Sequence, residues 1–107
     1  MSVTIGTVET FPDAEATCDQ VVKMSEEVME TFSALEDYLA ELELDKGLSR
    51  NYERITTQST QLAYDHVLDE CADVIQATAN LLAALGCKDF RKRMDACRRR
   101  QVARGRM

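Results

Sequence analysis

The chain is predicted to be all-α, a helical bundle of four or five helices with two long ones, and three observations predict it. Only one Pro and four Gly interrupt 107 residues of which 45% are apolar, a balance that favours long helices over a sheet with many turns. Apolar residues recur at spacings of three and four over two long stretches. Neither stretch holds a run of about 18 apolar residues, so no membrane span is expected. One domain, residues 1–107, suits this length, and a domain so small buries a modest share of its surface, so oligomerisation is expected to complete its core.

Residues 1–12 read as a weakly ordered lead-in. They lack the basic start and long apolar stretch of a secretory signal, so a cytoplasmic location is the default expectation. Pro12 suits the first turn of a helix, and Asp13 and Glu15 suit its N-terminus. From Ala14 to Leu44 no Gly or Pro occurs, and Val21, Met24, Val28, Phe32, Leu35, Leu39 and Leu42 form an apolar stripe: one amphipathic helix, or two in sequence. Gly47 is the expected C-cap. Ser49 to Gln58 is polar and fits a short helix or an ordered loop, and the 45–60 connection has room for a small extra helix. A second long helix is predicted from Thr60 to Leu85. Its stripe is Val67, Cys71, Val74, Ile75, Leu81, Leu82 and Leu85, with Thr78 as the one polar member and Gly86 as the stop. A basic helix over Lys88–Val102, with Phe90, Met94 and Cys97, ends the chain.

Charge is divided unevenly. Residues 1–87 hold 4 basic and 17 acidic side chains, net −13, and residues 88–107 hold 9 and 2, net +7. The basic tail suits phosphates, nucleic acid or its own acidic body. The body would repel a polyanion and no nucleic-acid-binding pattern occurs, so nucleic acid is not expected as a partner. Cys18, Cys71, Cys87 and Cys97 form no C-x-x-C pair and are expected to be reduced, structural thiols.

Two carboxylate pairs are the informative feature. The first helix carries Glu27 and Glu30, the second Glu70 and Asp73, each pair three residues apart and so on one face. At about 100° per residue, Glu27 and Glu70 each lie roughly 90–100° to one side of their apolar stripe, in the same rotational sense, and Glu30 and Asp73 roughly 150°. Antiparallel packing would bring these acidic edges together. Four converging carboxylates repel one another, a divalent cation relieves that, and oxygen ligands without His or Cys suit Mg²⁺ or Mn²⁺. A solvated face explains either pair alone. Against it, Ala77, Asn80 and Ala84 share the side of Glu70 and Asp73, and small residues with one amide resemble a groove wall.

At these residues the chain resembles the MazG-like all-α nucleotide pyrophosphohydrolases, a group that includes dimeric dUTPases and phosphoribosyl-ATP pyrophosphohydrolases. The signature E-E-x-x-E followed by E-x-x-D reads Glu26-Glu27-x-x-Glu30 and Glu70-x-x-Asp73, with Lys23 before the first cluster and Asn80 seven residues after Asp73. The likeness covers about residues 18–40 and 66–106. The gap of 39 residues between Glu30 and Glu70 is longer than usual for the family, and 45–60 is read as an insertion.

The resemblance implies hydrolysis of a nucleoside triphosphate between the α and β phosphates, giving monophosphate and pyrophosphate, in a homodimer or homotetramer. Glu27, Glu30, Glu70 and Asp73 would be the metal ligands. Glu26 and Glu30 are the candidates to orient the attacking water, and Lys23 to assist a phosphate. Lys92 and Arg93, in the basic tail, are the candidate phosphate contacts, against the alternative of a solvated helix that neutralises the acidic body. Asn80 would meet a base or sugar edge, or make a polar contact between helices. His66 reads as a surface residue, and Tyr38 and Tyr64 as packing; Tyr52 would be free to stack on a base. The competing reading is a non-enzymatic helical interaction module, because Val21, Val28, Leu35 and Leu42 keep a heptad spacing.

Overall fold

The computed structural model describes residues 1–48 and 57–107. All its regular structure is helical: α1 spans Cys18–Leu48, α2 Gln58–Ala84 and α3 Arg91–Ala103. Three helices are seen among the described residues, where four or five were expected over the whole chain. One reason is that α1 runs unbroken for 31 residues. Gly47, expected to stop it, lies within the helix and is not among the glycines with positive φ. The extra helix expected within 45–60 falls largely on residues outside those described, as does Tyr52.

Helix ends follow local chemistry. Pro12 lies in a turn ahead of α1 rather than in its first turn. The start is set by Thr17, whose Oγ1 accepts from the amide of Gln20 at 3.3 Å. Thr57 caps α2, its side chain accepting from Thr60 N. Gly86, at φ +80°, ends α2: its amide bonds to Ala83 O and that of Cys87 to Leu82 O, a pairing that needs the left-handed conformation only glycine adopts at no cost. Thr78 satisfies its hydroxyl within α2 by donating to Val74 O at 2.8 Å, which is how a polar residue sits in the apolar stripe.

α1 and α2 form an antiparallel pair. Gln20 Nε2 reaches Ala77 O at one end, Tyr38 and Tyr64 meet edge to face at 5.7 Å in the middle, and Asp45 bonds Thr60 at the other end. α3 packs against neither long helix. The radius of gyration, 18.0 Å, exceeds the roughly 13 Å of a compact domain of about 100 residues.

The pair does not bury the stripe that hydrophobicity marks. Among the described residues the buried apolar ones are Ala34 and Ala77, and Glu27, Asp45, Thr60 and Asn80 are buried with them. Val21, Val28, Phe32, Leu35 and Leu39 are exposed. α1 thus turns toward α2 the edge roughly 100° from its apolar stripe, where small and carboxylate side chains alternate. No helix among the described residues is long and apolar enough to cross a membrane.

Asp45 closes the far end of the pair. Its Oδ2 accepts from Thr60 Oγ1 at 2.7 Å and from the Thr57 amide at 3.2 Å, tying the end of α1 to the cap of α2. The Thr60 hydroxyl, with the Thr57 bonds, holds the Asp45 carboxyl below its ordinary pKa of 3.8. A lowered acid stabilises the fold above its unfolded pKa, and that share is lost as pH falls through the folded value. Asp45→Ala is therefore expected to melt several degrees below wild type at neutral pH, with the gap closing below about pH 4. Thermal melts of both proteins across that range check it, and a gap unchanged in acid contradicts it.

Candidate metal centre

Helical periodicity brings one carboxylate edge of α1 against one of α2 midway along the pair. Glu27, Glu30 and Glu70 each offer an oxygen, and the three atoms lie within 4.8 Å of one another. Glu27 is 8% exposed, Glu70 half-buried and Glu30 exposed, so the trio grades from the helix interface out to solvent.

The two inner carboxylates are arranged alike. Glu27 Oε1 lies 3.3 Å from Lys23 Nζ, and Glu70 Oε1 lies 3.5 Å from His66 Nε2, each partner four residues earlier on its own helix. The other oxygen of each, Oε2, is buried without a hydrogen-bond partner. A buried carboxylate oxygen without a donor is costly, and a cation held by these glutamates would satisfy it. All-oxygen donors, close spacing and two orphaned buried lone-pair sites are the chemistry that suits a hard divalent ion. The negative charge of Glu27, then partial burial, then bonds with Glu27 and Glu70, push the Glu30 carboxyl above the ordinary carboxylate range. Glu27, as hydrogen-bond partner and as charge, raises the Lys23 ammonium.

Asp73, the fourth expected ligand, stands outside this trio; it is exposed and lines a cleft of about 680 Å³ together with Glu27, Lys23 and Asn80. Glu30 and Glu70 line a smaller cleft of about 320 Å³, beside His66. Glu26 is exposed and outside the trio. Lys92 and Arg93 lie on α3, exposed, and line neither cleft. The ion pairs among the described residues are all local in sequence, so the basic tail does not neutralise its own body through such contacts. The tail's own pair, Asp89 with Arg91, holds the Asp89 carboxyl at about 2.

Asn80 is 4% exposed, and its environment was not legible from α2 alone. Its Oδ1 accepts from the Phe11 amide at 3.0 Å and from Gln76 Nε2 at 3.0 Å, while Gln76 Nε2 also reaches Glu9 O at 2.8 Å. The lead-in is thereby pinned across the cleft's rim. With Oδ1 occupied, the hydrogen-bonding capacity that remains to the amide is its Nδ2 donor, at a cleft Asn80 lines. His66 was set aside on sequence, although its spacing to Glu70 is the i,i+4 signal that Lys23 and Glu27 share.

No protein-family model matches this chain, and neither a curated protein nor a solved structure matches it.

Two outcomes follow from this geometry. In metal-free buffer at neutral pH, Glu30→Gln is expected to raise the melting temperature by relieving repulsion with Glu27. Because the folded pKa of Glu30 is raised, the advantage fades as pH falls through that pKa and wild type takes up its proton; a variant that melts below wild type at neutral pH contradicts it. Replacing Asn80 with Ala should speed exchange of the Phe11 amide hydrogen about tenfold or more, read by hydrogen–deuterium exchange, whereas unchanged protection would mean the lead-in is held by something else.

Proposed function

We propose that this chain is a magnesium-dependent nucleoside triphosphate pyrophosphohydrolase, cleaving between the α and β phosphates to give a nucleoside monophosphate and pyrophosphate. The observation that carries the reading is the trio Glu27, Glu30 and Glu70, with oxygens within 4.8 Å of one another and two buried oxygens lacking hydrogen-bond partners. These three residues would hold Mg²⁺, or Mn²⁺, with Asp73 nearby on the larger cleft as a further acid. When bound, the ion neutralises charge that develops on phosphate oxygens.

The chain's own groups suit the rest of that chemistry. Glu26 and Glu30 are exposed carboxylates, Glu30 within the trio and Glu26 beside Glu27 in sequence, that would orient a water and take its proton. Lys23, its side chain 59% exposed, stands beside Glu27, where its ammonium would meet a phosphate oxygen. The Asn80 Nδ2 donor favours a ligand that presents an acceptor, such as a carbonyl oxygen or ring nitrogen of a base, or a sugar oxygen. Among the described residues, Lys23 is the lysine or arginine that lines these clefts, and Lys92 and Arg93 do not line them within one chain. Assembly as a homodimer or homotetramer belongs to the same reading.

Purified protein incubated with each nucleoside triphosphate and Mg²⁺ should release pyrophosphate from at least one of them. Glu27→Ala and Glu70→Ala should each lower that release by about 100-fold or more, as expected for loss of a metal ligand or its electrostatic support. Activity retained in both variants, or absent in wild type with every nucleotide, would leave the helical interaction module as the better account.

A further inference from the structure

We propose that residues 9–16 are a strap that guards the larger cleft against anions and must swing aside before an anionic ligand enters. The strap is shaped by its own backbone. Ala14 donates its amide to Phe11 O at 3.2 Å, closing a β-turn with Pro12 at the position where its fixed φ suits the bend. The turn keeps Phe11, Asp13 and Ala14 together, and with Glu15 they line the cleft of about 680 Å³.

Two hydrogen bonds latch the strap to α2, and both use its main chain. Phe11 N donates to Asn80 Oδ1 at 3.0 Å, and Gln76 Nε2 donates to Glu9 O at 2.8 Å. Gln76 Nε2 also donates to Asn80 Oδ1 at 3.0 Å, so the two halves of the latch are joined. Apolar burial adds little. Residues 9–13 are exposed, Phe11 among them at 58%. A segment with few buried apolar contacts opens far more readily than the whole fold does.

Charge decides what the closed strap excludes. Asp13, Glu15, Asp19, Glu27 and Asp73 line the cleft, against the ammonium of Lys23. Two of these five carboxylates, Asp13 and Glu15, come from the strap, and neither is in an ion pair among the described residues. A cleft lined by one sign of charge between low-dielectric walls repels an incoming ion of that sign. A strap that clasped a polyphosphate would carry cations, yet the first Lys or Arg of the chain is Lys23, on α1. The guard regulates entry to the site described above and rests on the reading that this site takes a polyphosphate.

Inorganic tripolyphosphate with Mg²⁺, titrated into the full chain by calorimetry, tests the guard. Gln76→Met removes the latch donor without changing charge and keeps a good helix former. It is expected to bind the probe about fivefold or more tighter than wild type, with faster exchange of the Phe11 amide hydrogen and unchanged helicity by circular dichroism. Asp13→Asn combined with Glu15→Gln should tighten binding by a similar factor while the Phe11 amide stays protected, because charge leaves and the latch remains. Glu36→Gln combined with Glu43→Gln removes two exposed acids of α1 that line neither cleft, and should leave affinity within about twofold of wild type. Gln76→Met binding no tighter than wild type, or the two acid pairs changing affinity equally, overturns the guard and leaves the carboxylate site standing. No uptake by wild type or by any variant overturns the guard together with the polyphosphate reading.

Discussion

Mutual repulsion among Glu27, Glu30 and Glu70 is the constraint around which the helix pair is arranged. Three like charges whose oxygens lie within 4.8 Å, one of them buried and one half-buried, would weaken any interface unless something offsets them. The chain offsets them in part. The Lys23 ammonium stands one turn before Glu27, as the His66 ring stands before Glu70, and the cost left over shows in the raised carboxyl of Glu30. The remaining orphaned oxygens, Oε2 of Glu27 and of Glu70, are what the proposed dication would satisfy. On the proposed reading, a site that an ion would stabilise fits chemistry in which charge is in position before the substrate arrives.

Giving the interface between α1 and α2 to carboxylates has a structural consequence. The edge that meets α2 is small and polar, Ala34 between Glu27 and Asp45, so the residues best able to stabilise a core are left outside. What holds the pair is therefore distributed along it: an Asp45 network at one end, an aromatic contact at Tyr38 and Tyr64, and the Gln20 and Asn80 contacts at the other. The lead-in belongs to this system, because its backbone amide at Phe11 fixes which atom of Asn80 remains for a ligand.

The sequence was legible wherever a periodicity or a cap decides the outcome locally. The placement of Glu27 and Glu70 beside their stripes, in the same sense, followed from the helical repeat, and their meeting followed from antiparallel pairing. Gly86 announced its turn. Thr17 and Gln20 carried a cap signal that was missed, since Thr-x-x-Gln is a capping-box spacing and Pro12 drew the start too early. Other features had no local signal. Which face of α1 meets α2 depends on whether the apolar stripe is covered by this chain or another, and one sequence cannot distinguish those. Asn80 takes its partner from residue 11, 69 positions away, so nothing on α2 foretold it. Asp73 shares the helical phase of the site but not its close oxygen spacing, because a repeat fixes direction around an axis and not distance across it.

Direct measurement of ion binding tests the central claim most closely. Titrating metal-free protein with Mn²⁺, followed by the loss of the free-ion electron paramagnetic resonance signal, should show saturable uptake that Mg²⁺ competes away. Glu70→Gln should weaken it by about tenfold or more, in line with loss of one charged oxygen ligand. Uptake equal in wild type and Glu70→Gln, or none at millimolar ion, would contradict the account.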